Sequence, residues 1–125
     1  MKVVIIEDEK PAVKKLENLL KGYNSRIEVI AKLISVKESV EWISNYSDEV
    51  DLYFMDIRLT DGLSFDIFEK VNINKPVIFI TAYNEYAIQA FKVNSIDYLL
   101  KPLSYKDLFR SLEKLKSLRD NLPSK

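Results

Sequence analysis

Short apolar runs alternate along this chain with stretches in which apolar residues recur every three or four positions. The runs are Val3-Val4-Ile5-Ile6, Ile27 to Leu33, Leu52-Tyr53-Phe54-Met55, Val77-Ile78-Phe79-Ile80 and Tyr98-Leu99-Leu100. Most are continuous rather than alternating, which marks strands covered on both faces, as in a parallel sheet. Between them the period changes to helical. Pro11 suits a first helical turn, and Ala12, Leu16, Leu19 and Leu20 form an amphipathic stripe behind it. Ser35 with Glu38 reads as a capping box opening a helix through Val40 and Ile43. Phe65, Phe68 and Val71 mark a third helix, Tyr86 to Phe91 a short fourth. Ser104 with Asp107 opens a fifth, carrying Leu108, Leu112 and Leu115.

Five strand–helix alternations predict an α/β fold with a doubly wound parallel sheet. Right-handed crossovers place helices on both faces. The expected strand order is 2-1-3-4-5, the flavodoxin-like arrangement, with five strands and five helices. From about Lys116 the chain reads as a fraying helix or linker, with Pro123 near its end.

Composition narrows the chemistry. The 125 residues suit one domain, and 47% hydrophobic content supports a core. Nineteen basic and nineteen acidic residues cancel, which argues against a nucleic-acid arm or a polybasic membrane patch. There is no cysteine and no histidine. Disulfides, thiolate zinc sites, imidazole ligands and Ser–His catalysis are excluded, so a metal site must be built from oxygens. No apolar run approaches the roughly 20 residues of a membrane span. The acidic Glu7-Asp8-Glu9 follows Ile6 too closely for a signal peptide. A cytoplasmic location is the expectation.

The polar residues fall at strand ends. The first strand runs into Glu7, Asp8 and Glu9, the third into Asp56, the fourth into Thr81 and the fifth into Lys101. In a parallel sheet these ends share one edge, where open α/β folds place their sites. Clustered carboxylates repel unless a cation intervenes. Few, all-oxygen ligands suit Mg²⁺. A carboxylate can attack phosphorus to form an aspartyl phosphate. Asp56 is the natural nucleophile, Asp8 and Glu7 the metal holders, and Thr81 and Lys101 the groups that meet phosphoryl oxygens.

The segments Ile5-Ile6-Glu7-Asp8-Glu9, Phe54-Met55-Asp56-Ile57, Phe79-Ile80-Thr81-Ala82 and Asp97-Tyr98-Leu99-Leu100-Lys101-Pro102 resemble the receiver domains of bacterial two-component response regulators. The stretch from Ala90-Phe91 to Lys101-Pro102 further resembles receivers that precede a LytTR-type DNA-binding domain. The resemblance implies a receiver over residues 1–118 and a tail or linker start over 119–125. It implies phosphorylation of Asp56 by a sensor histidine kinase, with Mg²⁺ held by Asp8, Glu7, Asp56 and the backbone carbonyl of Arg58. It implies that Thr81 and Lys101 contact the phosphoryl group, that Thr81 and Tyr98 form a switch, and that the Lys101-Pro102 peptide is cis. The readout expected is a homodimer through the fourth helix, fifth strand and fifth helix, including Ile88, Phe91, Lys92 and Arg110. DNA binding would belong to an output domain outside this chain, and no membrane partner is implied.

The chain departs from the family pattern in three places. Glu7 stands where Asp is commoner, Thr60 replaces a frequent proline, and Asp61-Gly62 suggests a shortened loop. Arg58 and Tyr83 occupy positions that in the family influence acyl phosphate hydrolysis. Two rivals fit worse. A dehalogenase-like phosphatase would need an acid two residues after the nucleophile, where this chain has Arg58. A flavodoxin-type phosphate loop is incompatible with Glu7-Asp8-Glu9. A receiver-like module without the chemistry would not need Asp8, Asp56, Thr81 and Lys101 together.

Overall fold

The computed structural model describes residues 1–120. Strands β1 (Lys2–Ile6), β2 (Glu28–Leu33) and β3 (Leu52–Met55) are followed by a two-rung antiparallel hairpin, β4 (Arg58–Leu59) and β5 (Gly62–Leu63), then β6 (Val77–Thr81) and β7 (Asp97–Leu100). The helices are α1 (Lys10–Tyr23), α2 (Val36–Tyr46), α3 (Phe65–Lys70), α4 (Ala87–Lys92) and α5 (Tyr105–Asp120), with 3-10 turns at Ser47–Glu49 and Asn84–Tyr86. The main sheet is parallel throughout, in the order β2-β1-β3-β6-β7. With the hairpin set aside, this is the 2-1-3-4-5 order expected from the sequence.

The alternation of side chains along the strands divides the interior into two cores. Val4, Ile6, Tyr53, Met55, Val77 and Phe79 pack towards α2, α3 and α4. Val3, Ile5, Leu52, Phe54, Ile78 and Ile80 pack against Leu16 and Leu20 of α1 and Leu108, Leu112 and Leu115 of α5. The central strands β1, β3 and β6 are buried almost end to end, which is why they read as unbroken apolar runs.

Local signals explain most element ends. The Glu38 N–H donates to Ser35 Oγ at 3.0 Å, and the Glu38 carboxylate accepts from Ile34 N–H at 3.0 Å, one residue earlier than in the usual capping box. At α5 the Asp107 N–H donates to Ser104 Oγ at 3.1 Å. Strand β2 begins at Glu28 rather than Ile27, because the Ile27 N–H donates to the Asn24 carbonyl in the preceding turn. Tyr86 belongs to the 3-10 turn before α4 rather than to α4 itself. Helix α5 continues past Lys116 to Asp120, because Leu112 and Leu115 anchor it against the sheet. The tail expected over residues 119–125 is therefore helical at Arg119 and Asp120; residues 121–125, with Pro123, lie outside the described residues. No helix among the described residues is long and apolar enough to cross a membrane.

Candidate functional site

Backbone pairing carries each strand-end residue to one edge of the sheet. The Asp56 N–H donates to the Ile6 carbonyl at 2.9 Å, so the residue after β3 sits beside the end of β1. The Glu7 N–H donates to Leu33 O at 2.9 Å, and the Lys101 N–H donates to Thr81 O at 2.8 Å. Acidic side chains and one ammonium meet there. Lys101 Nζ donates to Glu7 Oε1 at 2.7 Å, to Asp56 Oδ2 at 2.9 Å and to the exposed Glu9 Oε1 at 3.3 Å. One carboxylate oxygen each from Glu7, Asp8 and Asp56 lies within 4.8 Å of the others. Asp56 Oδ1 accepts from the Ile57 N–H at 2.6 Å, which fixes the rotation of its carboxylate.

The surroundings sharpen these interactions. Glu7 and Asp56 are buried, and a cavity of about 110 Å³ walled by Ile5, Leu16, Ile80 and Leu103 opens beside Lys101. Low polarity strengthens each charge pair and raises the cost of each unpaired charge. Burial pushes the Glu7 carboxyl up to about 7; the Lys101 hydrogen bond opposes this, and the Asp56 carboxylate adds to it. Burial would lower the Lys101 ammonium, but its hydrogen bonds to Glu7 and Asp56 outweigh that and hold it raised. An all-carboxylate set this close fits a hard divalent cation.

A second layer adjoins the cluster on the β6 side. Thr81 is fully buried at the end of β6, and its Oγ1 accepts from the Tyr83 N–H at 3.4 Å. The Tyr98 hydroxyl donates to the Tyr83 carbonyl, and the Tyr98 ring lies 6.4 Å from Phe79. The Arg58 guanidinium stacks over the Tyr83 ring at 4.1 Å. Arg58 Nε and Nη2 donate to the Tyr86 hydroxyl at 3.3 and 3.1 Å. The Lys101-Pro102 peptide is cis.

The structure thus brings Glu7, Asp8, Asp56 and Lys101 into one group. Thr81, Tyr83, Tyr98 and Arg58 form a connected layer alongside. Three participants are not evident from the sequence. Glu9 shares Lys101, although along the chain it is only the end of an acidic run. Tyr86 holds Arg58. Asp61 accepts from the Val36 and Lys37 N–H groups at 2.7 and 3.0 Å, capping α2 from the hairpin loop. Only Asp61 has a local signal, as the first residue of an Asp-Gly turn, and that signal points to a turn rather than to a distant helix.

Comparison with known proteins agrees with the fold. The response regulator receiver domain model matches residues 3–113. "Sensory transduction protein LytT" of Enterococcus faecalis is 37% identical over 117 residues, covering 91% of this chain and 47% of that protein. "Sensory transduction protein LytR" of Staphylococcus epidermidis is 32% identical over 128 residues, covering 100% of this chain and 50% of that protein. The chain spans about half the length of the curated relatives it matches. Among solved structures, the response regulatory domain of mrkE from Klebsiella pneumoniae superposes with a TM-score of 0.81 at 28% identity, covering 98% of this chain and 100% of that one.

Proposed function

Because the chain belongs to the response regulator receiver domain family, whose members are phosphoacceptors that bind Mg²⁺ at an acidic cluster, we propose that Asp56 accepts a phosphoryl group from a sensor histidine kinase. An Asp56 carboxylate oxygen attacks phosphorus in line. The new P–O bond forms as the P–N bond to the kinase imidazole breaks, and the imidazole leaves with the bonding pair. The observation that carries this reading is the convergence of Glu7 and Asp56 within hydrogen-bond distance of one ammonium, that of Lys101.

The surrounding residues take distinct parts. Ile57 N–H and Lys101 orient the two Asp56 oxygens, which limits the number of attacking geometries. Lys101 then remains as a half-buried cation for the phosphoryl oxygens, with the Thr81 hydroxyl as a further donor. Asp8, Glu7, Asp56 and the Arg58 backbone carbonyl would hold Mg²⁺. That ion, when bound, neutralises phosphoryl charge. Arg58 and Tyr83 shield the acyl phosphate from water, so the chain influences its own dephosphorylation as well as its phosphorylation.

Readout follows from the connected layer. Phosphorylation turns the singly charged Asp56 carboxylate into an acyl phosphate of about −2 charge with new acceptor oxygens, which draws the Thr81 hydroxyl and loosens its turn with Tyr83. Tyr98, bound to the same Tyr83 backbone, then repacks. The face of α4, β7 and α5 carries the outcome as a population shift. On it Phe91 is 82% and Ile88 73% exposed. Lys92 follows in α4 and Arg110 lies on α5, and a homodimer through this face is the readout. Residues 1–118 form the receiver, and DNA control lies in an output domain corresponding to the rest of the relatives' length. A cytoplasmic location goes with a histidine-kinase partner.

Incubation with Mg²⁺ and acetyl phosphate, followed by intact-mass measurement, tests the reading. The expected result is a gain of one phosphoryl group that disappears in Asp56→Ala. No gain, or a gain that survives in that variant, overturns it.

A further inference from the structure

Arg58 is a cation two residues beyond Asp56, yet its guanidinium does not join the carboxylates. It lies instead on the Tyr83 ring, 4.1 Å from the centroid, with Tyr86 next in line at 5.8 Å. Two hydrogen bonds to the Tyr86 hydroxyl hold it there. The Tyr86 ring is itself fixed, edge-on to Tyr83 at 6.3 Å and tilted against Phe65 at 6.2 Å. The β3–β6 register pairs Met55 with Phe79. Arg58 and Tyr83 therefore leave from adjoining strand ends, and the stack bridges the two loops that flank Asp56.

We infer that Tyr86 is a positioning residue for the acyl phosphate: its hydroxyl holds the Arg58 guanidinium on Tyr83, keeping the bridge between the two loops closed. This rests on the proposal that Arg58 and Tyr83 shield the phosphoryl group. An exposed arginine has many rotamers, and a single cation–π contact at the surface restrains it weakly. Two donors converging on one hydroxyl select a single orientation, because the guanidinium fork is planar. Tyr86 also ends the 3-10 turn that leads directly into α4. The same hydroxyl thus joins the loop after the phosphoacceptor to the start of the readout helix, by a route separate from Thr81 and Tyr98.

Tyr86→Phe is the informative variant, because it keeps the ring contacts with Tyr83 and Phe65 and removes only the acceptor. Two readouts are needed. The first is the Arg58 Nε–H resonance by NMR, which the Tyr83 ring current shifts when the stack is formed. The second is the acyl phosphate half-life, followed on phosphate-affinity gels, in wild type, Tyr86→Phe, Arg58→Ala and the double variant. The expected result is loss of the ring-current shift in Tyr86→Phe and a several-fold shorter half-life matching that of Arg58→Ala, with no further change in the double variant. Retention of the shifted resonance in Tyr86→Phe overturns the positioning role whatever the half-lives. So does a double variant in which the two effects multiply, since Tyr86 would then act independently of Arg58. An unchanged half-life in Arg58→Ala with the resonance lost in Tyr86→Phe identifies the shielding proposal as the part that fails, and the role of Tyr86 in lifetime falls with it.

Discussion

Lys101→Met isolates the electrostatics of the cluster. Methionine keeps most of the apolar stem beside the cavity and removes the ammonium. The substitution deletes two short ion pairs, at 2.7 Å to Glu7 and 2.9 Å to Asp56. At an effective dielectric of about 20, each is worth roughly 6 kcal/mol before desolvation. Desolvation of the lysine cancels much of that, and removing one partner from a buried pair typically costs about 3–5 kcal/mol. The variant has a way to relax, however. Glu7 already binds its proton up to about 7 through burial, and without Lys101 it holds that proton to still higher pH. The folded state then carries a proton that the unfolded chain, with Glu7 near its ordinary 4.5, has released. Stability must therefore fall as pH rises, by at most about 1.4 kcal/mol per pH unit for one proton. In wild type this decline ends near 7, and in the variant it continues above. The penalty is expected to be about 3 kcal/mol near pH 8 and clearly smaller near pH 6. Urea unfolding without divalent cations, read through the single tryptophan, Trp42, which stacks on Tyr46 at 5.3 Å, measures it. A penalty below about 1 kcal/mol near pH 8, or one equal at both pH values, refutes this coupling.

Three further perturbations probe the frame of the site. Asp61→Ala removes the cap on two α2 N–H groups and is expected to cost about 1 kcal/mol. Because those hydrogen bonds hold the Asp61 carboxyl below its ordinary 3.8, its contribution is present above that value and lost as pH falls; urea midpoints near neutrality and in acid check this, and an acid-insensitive penalty contradicts it. Gly62→Ala places a methyl on a backbone with φ of +153° and 2.9 Å from Asp66 Oδ2, so a destabilisation of more than about 1 kcal/mol in thermal or urea unfolding is expected, and a neutral result would show that the hairpin relaxes. Tyr53→Phe deletes a buried hydroxyl that has no hydrogen-bond partner among the described residues and is expected to stabilise by about 1 kcal/mol. Burial pushes Tyr53 up to about 12, so wild type also loses stability as pH climbs from 10 towards 12 while the variant loses less; a destabilised Tyr53→Phe would contradict the account of an unsatisfied hydroxyl.

The architecture and the acidic edge are legible in the sequence because both depend on periodicity and topology. Continuous runs such as Leu52-Tyr53-Phe54-Met55 announce a strand buried on both faces, and a parallel sheet aligns every strand terminus. Glu7, Asp56 and Lys101 therefore meet despite the 94 positions between Glu7 and Lys101. Contacts that depend on loop paths are not legible. Asp61 looks like half of an Asp-Gly turn, and its role as the cap of α2 requires the hairpin to fold back over 25 positions. Tyr86 looks like the first residue of an amphipathic helix, yet it sits in a 3-10 turn facing Arg58. Helix α5 outruns its sequence signal: burial of Leu112 and Leu115 carries the helix into the stretch from Lys116 to Asp120.

Charge balance links the chemistry to the moving parts. Glu7, Asp8 and Asp56 cluster at the sheet edge, and the one ammonium paired with that cluster, Lys101, already divides its donors among Glu7, Asp56 and Glu9. Phosphorylation would turn the singly charged Asp56 carboxylate into an acyl phosphate of about −2 charge, a net gain of about one negative charge spread over three new acceptor oxygens. Lys101, already bound to Asp56 Oδ2, and the proposed Mg²⁺ would meet part of it, and the remaining demand falls on the nearest uncharged donors. Thr81 is the buried hydroxyl at hand; its oxygen accepts from the Tyr83 N–H, so turning its O–H towards Asp56 moves the atom that the Tyr83 backbone is bound to. Tyr83 is bound in turn by Tyr98 through its carbonyl and by Arg58 through its ring. On the proposed reading, satisfying the phosphoryl oxygens disturbs Tyr83, the residue on which the contacts of Thr81, Tyr98 and Arg58 converge, and a demand for donors at Asp56 becomes a change of packing at β7 and α4.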